Sequence, residues 1–456
     1  MLPGQFSDNL FGAGLSIGGY YLRWLRYGGQ FQRMLEDCLE RDGWSAAQVR
    51  AWQEEEVARL LHRAVRQVPW YREHWSKRRR RGDKSSQELI GNWPILEKDE
   101  VRRHGRAFIA DDCSPRWMTK FRTSGSTGTP LTIWKSRRTL QKLYAGVEAR
   151  WRLPYGISRK ENWAIVGSRL VVDQSRTTPP FWIWNRGLHQ LYMSHLHIST
   201  SNISHFVSEI LRRDIRYMWG FPSALDALAA GIKIQGLAAP KLAAVVTCGE
   251  PLFEHHRTSI SEVFGCRVFQ TYGMVEDALC AAECQQLNLH LWPEAGYLEI
   301  VKDGAPAPAG CAGDLIATGL INTDMPLIRY RTRDRGQQAA GAASCACGRC
   351  ASQVAAIEGR LEDLLWSTDG DLVPVVNVVF RNLPIRRGRI VQKEVARIVA
   401  DIEPAWGWGN EHEIQLIKNL QARLGAVAVE IRKVDRIAPG RGGKFRVVER
   451  AIGEVS

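Results

Sequence analysis

The chain has 456 residues, 45% hydrophobic and 24% charged, which is too long for one core and too apolar for bulk disorder, so two or three domains are expected. No apolar run reaches the roughly 18 residues that a bilayer span requires; the nearest, Phe11 to Leu22, is interrupted by glycines and ends at Arg23. Lys and Arg outnumber Asp and Glu by 62 to 48, a net +14 that suits nucleic acid, an anionic surface or an anionic substrate.

The start, MLPGQFSDNL, has no basic n-region of a secretory signal, so a cytoplasmic location is expected. Between Gln30 and Val68 the apolar residues Phe31, Leu35, Leu39, Val49, Trp52, Val57, Leu60, Leu61, Ala64 and Val68 recur in steps of three and four, the period of amphipathic helices. Pro69 stops that pattern, and residues 1–110 are expected to be mainly helical. The basic run Lys77 to Arg81 stands beside Gly82, Asp83, Ser85 and Ser86 and reads as a solvated loop, with a phosphate-rich partner or membrane surface as the alternative. Without zinc-finger, homeodomain or RNP spacing, no sequence-specific nucleic-acid partner is expected.

From Arg122 to about Ile357, strand-like stretches (NWAIVGS, IRYMWGFPS, KLAAVVTCGEPL, CRVFQTYGMVE) alternate with helix-like ones (SHFVSEILRR, ALDALAAGIK, HHRTSISEVFG). Short connections between them predict parallel βαβ units and an α/β fold. HLWPEAGYLEIV and GDLIATGL suit hairpins or a small distorted barrel. The chain changes character at Gly359 and Arg360. The expected organisation is a large domain over 1–358 and a small α+β domain over 359–456, with a helix near Lys393 to Ile402 and strands near Glu413 to Ile417 and Ala426 to Val434.

Two local patterns carry chemistry. In FRTSGSTGTPL, Phe121 to Leu131, Gly125 and Gly128 let the backbone turn close to an anion, while Thr123, Ser124, Ser126 and Thr127 add hydroxyls beside backbone N–H groups, a nest suited to phosphate. The plain alternative is a flexible Ser/Gly loop, and the Gly-Lys-Ser/Thr of a P-loop is missing. Cys284 and His290 have C-x5-H spacing, and Cys345 and Cys347 have C-x-C spacing. Four such ligands in two short clusters predict a closed, structural zinc site, with Cys280 and Cys350 as reserve ligands and unrelated buried thiols as the alternative.

TSGSTGTP resembles the phosphate loop of the adenylate-forming superfamily of acyl-CoA synthetases, and further stretches match in the same order: CGEPL, TYGMVED, PLIRYRTRD, EGRLEDLL and GGKFRVVER. VPWYRE, WPILEKDEVR and MWGFPSAL resemble the phenylacetate-CoA ligase-like branch, which includes proteins of capsular-polysaccharide clusters. The resemblance implies ATP-dependent activation of a carboxylic acid as an acyl-adenylate, with pyrophosphate released and the acyl group passed to CoA. An amine acceptor in polysaccharide or natural-product biosynthesis is the alternative; a nucleotide-binding protein without catalysis is the second.

The same resemblance implies roles. Ser124 to Gly128, with Thr123, would hold the β- and γ-phosphates. Gly249, Glu250 and Pro251 would line the adenine pocket, with Tyr272 on the base and Gly273 beside it. Glu276 would bind Mg2+, Asp334 the ribose, and Arg360 would sit at a hinge near ribose and phosphate. Lys444 would bridge the attacking carboxylate and the α-phosphate. Some members of the branch carry zinc where the cysteine cluster falls. Val275 departs from the usual Ser or Thr before the motif glutamate, Thr129 stands where lysine is common, and LEDLLWSTDGDLVP departs from the usual continuation after the hinge, putting the second half-reaction in question. Trp163, Trp182, Trp184 and Trp219 fall where relatives place the acyl pocket, although aromatic residues read first as core, as do His195 and His197. Expected partners are the small-molecule acid and its acceptor, with a homodimer left open.

Overall fold

The computed structural model describes residues 8–123, 130–167, 171–308, 310–339, 345–360, 364–370, 372–375, 379–380, 383–405, 407–437 and 447–451, with the backbone alone at 8–17, 338, 356, 358–360, 372 and 374. The amino-terminal helices follow from their caps and apolar stripes. Ser45 accepts from the Gln48 backbone while Gln48 accepts from Ser45 N, a capping box that starts Ala46–Gln67. That helix buries Val49, Val57, Leu60, Leu61 and Ala64 on one face. Pro69 stops it and also begins the next helix, Pro69–Arg80, at the first position, where its missing N–H has no cost.

The basic run is therefore not the expected loop: Lys77 to Arg80 form the last turn of Pro69–Arg80. Cations there complement the partial negative charge of the helix end. The Arg78 guanidinium lies 4.2 Å from the Trp75 ring centre, and Arg79 donates to the carbonyls of Asp83 and Ser85, each at 2.6 Å. These side chains secure the turn that follows.

Strands Gln190–Ser194, Trp163–Gly167, Tyr217–Gly220, Ala244–Thr247 and Arg267–Gly273 lie side by side and parallel, flanked by helices Ile203–Arg212, Pro222–Ile234 and Glu254–Phe264. Beyond Arg267–Gly273 the sheet continues antiparallel through Cys280–Glu283, Leu289–Leu291, Gln353–Arg360, Tyr330–Gln338, Ala312–Gly319 and Gly296–Lys302. The segments expected as hairpins or a barrel are thus laid edge to edge onto the parallel sheet. Trp163 and Trp219 lie in one buried cluster, and Trp182 and Trp184, partly buried, pack against the core beneath the helices. His197 does too: its Nδ1 is 2.7 Å from Ser194 Oγ and its ring stacks on Phe181.

After Arg360 a separate apolar cluster forms around Leu365, Phe380, Ile390, Ile398, Leu416 and Leu420. Its sheet runs Ala428–Lys433, Arg397–Pro404, Ile385–Glu394, Val448–Arg450, covered by helix Asn410–Leu424. Two expectations fail here. Lys393 to Ile402 is the end of the first strand, the turn and most of the second strand of a hairpin, because Ile398, Val399, Ala400 and Ile402 are buried in an extended, largely β-branched run. Glu413 to Ile417 is helical, because Leu416, Leu420 and Leu424 recur every four residues on the buried face. The strand expected over Ala426 to Val434 is present as Ala428–Lys433.

Candidate active site and cysteine cluster

The parallel strands end on one edge, where α/β sheets bind ligands. Ala244–Thr247 leads there into Gly249, whose φ of +76° is open to glycine. Glu250 accepts from Ser223 Oγ at 2.7 Å. In the neighbouring strand Tyr272 donates its hydroxyl to Asp334 Oδ2 at 2.6 Å, and the Asp334 backbone stands in register with Arg360. Past Gly273 the chain turns, with Asp277 N donating to Met274 O and Asp277 in the left-handed region at φ 52°.

Glu276 is buried in that turn. Its Oε1 accepts from Tyr330 Oη at 2.9 Å and lies 3.3 Å from Lys98 Nζ. Burial, and then the Glu276 charge, push the Tyr330 phenol above its usual range. Strands Thr119–Arg122 and Thr132–Lys135 pair antiparallel, and Thr123 closes their neck: its N donates to Leu131 O at 3.0 Å and its Oγ1 accepts from Leu131 N at 2.9 Å. Ser124, Gly125, Ser126, Thr127 and Gly128 lie outside the described residues, as does Lys444, and of Arg360 only the backbone is described. The described candidates thus fall in linked places: Gly249, Glu250 and Pro251 follow Ala244–Thr247, Tyr272, Gly273, Glu276, Asp334 and the Arg360 backbone lie on or just after strands further along the same sheet, and Thr123 stands at the neck of the hairpin.

Sequence reasoning missed Lys98, Tyr330, Lys135 and Asp277. Lys98 comes from helix Lys98–His104, whose segment is laid along the strand of Tyr330: Leu96 N donates to Arg329 O and Arg331 N to Leu96 O. Lys135 forms an ion pair with Asp277.

The cysteine cluster is at the other end of the same strands. Cys284 follows Cys280–Glu283, His290 lies in Leu289–Leu291, and Cys345 and Cys347 precede Gln353–Arg360. Their ligand atoms all fall within 4.8 Å of one another. Cys284 and Cys345 Sγ are 3.6 Å apart, and Cys347 Sγ is 3.5 Å from His290 Nε2. Those separations are too long for a disulfide, roughly 2.05 Å. They match the edges of a tetrahedron built on metal bonds of roughly 2.0–2.3 Å, the zinc values. His290 Nδ1 is 3.1 Å from Ala351 O, which leaves Nε2 for the metal. Burial acts to raise the Cys345 thiol, but the Cys347 backbone and Asn288 donors hold it below its usual value, and Asn288 Nδ2 is 3.2 Å from its sulfur. The donor set fits zinc; Cys280 and Cys350 lie outside it.

Residues 118–320 match the AMP-binding enzyme family. The match, the fold and the relatives agree with one class, the AMP-binding, adenylate-forming ligases. Within that class the chain is similar to Protein CapK of Staphylococcus aureus, 22% identical over 384 residues and covering 83% of this chain and 84% of that protein. It is also similar to the phenylacetate-coenzyme A ligase of Thermus thermophilus, 26% identical over 334 residues, 70% of this chain and 71% of that one. Among solved structures it shares the fold of 2-hydroxyisobutyryl-CoA ligase in the postadenylation state with 2-HIB-AMP, with a TM-score of 0.67, 18% identity and 90% of each chain covered. Against the same ligase in the thioesterification state the TM-score is 0.53.

Proposed function

We propose that the chain activates a small carboxylic acid with ATP as an acyl-adenylate, releases pyrophosphate, and transfers the acyl group to CoA. The observation that carries this is the bond from Tyr272 to Asp334 beside the Arg360 backbone, one turn from Glu276. Adenylation must bring a carboxylate up to a polyanion, and fixed cations and dipoles in a water-poor site lower that barrier by several kcal/mol, on the order of a hundredfold or more in rate.

Asp334, already aligned by the Tyr272 hydroxyl, accepts from the ribose hydroxyls. Glu250 and Tyr272 face the base. Ser124 to Gly128, anchored at Thr123, cradle the outer phosphates and let pyrophosphate leave. Glu276 holds Mg2+: Tyr330 and Lys98 both engage Oε1, and among the described residues no partner of Oε2 is found, so a hard cation seeking carboxylate oxygen fits there. When bound, Mg2+ screens phosphate charge. Lys444 meets the carboxylate and the α-phosphate. Cys284, His290, Cys345 and Cys347 hold zinc, with no open position for chemistry.

The part after Gly359 is the mobile small domain that carries Lys444. Its separate core supports this. Pyrophosphate release assayed across candidate acids, then acyl transfer offered CoA or amines, tests the whole reading. Acid-dependent release with thioester formation is expected; release with amide alone would move the acceptor to an amine, and no release with any acid would leave a nucleotide-binding protein. Protease sensitivity near Arg360 is expected to change once ATP and the true acid are added; identical fragments and rates count against the mobile domain.

A further inference from the structure

Two carboxylates stand next to each other after Gly273, and each is met by a lysine from a distant segment. Lys98 reaches Glu276. Lys135 pairs with Asp277, and here both side chains are almost fully buried, 2% and 4% exposed. Lys135 ends the second strand of the phosphate-loop hairpin, opposite Thr119. Its ammonium lies 4.6 Å from the Phe121 ring centre, so the side chain runs back along the hairpin towards the loop.

Stability alone gives no reason for this pair. Taking two charges out of water is unfavourable, and apolar side chains of similar volume serve as well or better in a core. The turn itself is already clamped from below: a Cβ at Gly296 would meet Ala278 O at 2.0 Å, and one at Gly319 would lie 3.2 Å from Ala278 Cα. Apolar packing of Leu131 and Ile133 in one cluster with Ala278 and Leu279 brings hairpin and turn together without a fixed direction. The directional contact between them is the ion pair of Lys135 with Asp277.

We infer that Lys135 and Asp277 are positioning residues: their ion pair fixes the phosphate-loop hairpin against the turn that carries Glu276. The role presupposes Glu276 as the Mg2+ ligand proposed above. An outer-shell group of this kind changes metal affinity by about 10- to 100-fold when lost, while the double removal of a buried pair leaves no stranded charge.

The test uses the full chain and the variant Lys135→Met with Asp277→Asn, followed by thermal unfolding and by calorimetric ATP binding over a Mg2+ series. The melting temperature is expected to stay near wild type, while the Mg2+ needed for half-maximal ATP binding rises about 10- to 100-fold. Wild-type Mg2+ dependence in the double variant overturns the inference. Lys135→Met with Asp277→Leu, an apolar pair that also leaves no stranded charge, serves if the first double variant does not fold: a weakened Mg2+ dependence supports the positioning role, and an unchanged one overturns it. A wild-type chain that binds no ATP at any Mg2+ concentration overturns the Mg2+ reading of Glu276 instead, and this inference with it.

Discussion

The proposed nucleotide side and the cysteine cluster occupy opposite ends of the same strands, yet they are built differently. Cys280–Glu283 runs from the Glu276 turn to Cys284, and Gln353–Arg360 runs from the cysteine loop to the partner of Asp334. At one end the ligand atoms come from two short stretches and already stand within 4.8 Å of one another. At the other the groups come from widely separated segments and are held by charge pairs such as Lys98 with Glu276 and Lys135 with Asp277. A site that only holds a metal can be closed and compact. One that admits and releases polyanions needs its charges balanced by groups from separate segments.

The largest effect that separates the two ends is expected from Lys444→Ala: pyrophosphate release should fall at least about 100-fold with ATP affinity and melting temperature little changed. Wild-type-like release would remove Lys444 from the chemistry. At the other end, Cys345→Ser with Cys347→Ser should lower metal analysis from about one zinc per chain to none and the melting temperature by about 5 °C or more. Freshly purified wild-type protein without zinc would break the comparison outright. A smaller effect is expected from Tyr272→Phe, which deletes one hydrogen bond to Asp334 and should weaken ATP binding by about 2- to 10-fold, measured by calorimetry.

The smallest effect concerns the cleft between Glu250 to His256 and the strand of Arg386 and Arg387. Burial lowers His255 to about 4 and His256 to about 3, the latter helped by the His255 charge. An unfolded imidazole titrates near about 6.5, so between that value and about 4 the unfolded chain binds more protons. Stability is therefore full above about pH 6.5 and declines as pH falls towards 4. In His256→Phe the slope of melting temperature against pH should flatten; an unchanged slope would assign the acid sensitivity elsewhere.

Much of this was legible in the sequence, for identifiable reasons. The parallel strands are apolar runs bounded by short loops, and the motif residues are contiguous, so Tyr272, Glu276 and Asp334 could be located without coordinates. The lysines could not: Lys98 lies 178 residues from Glu276, and nothing local distinguishes it from solvated charge. The hairpin Ile385 to Pro404 was hidden because Lys393 and Glu394 before the turn and Arg397 after it imitate a helical surface. Helix Asn410–Leu424 was hidden because Ile414 and Ile417 look strand-like, although Ile414 is 53% exposed. The cysteine cluster was legible from spacing, since short spacing and spatial closeness coincide there.

The edge strand Trp182–Asn185 pairs with Gln190–Ser194, and the helix Asp8–Tyr27 packs against it and the turn after it. The approach is close enough that a Cβ on Gly187 would meet Gly19 C at 2.4 Å, and one on Gly19 would meet Asn185 Oδ1 at 1.9 Å. Those two glycines seat the helix as a lid on the outermost strand. Unpaired strand edges recruit other strands, and covering them is how soluble sheets avoid it. A methyl at Gly187 would run into the backbone of Gly19 and Tyr20 and push the helix away, so the cover over this edge of the sheet depends on a single hydrogen atom there.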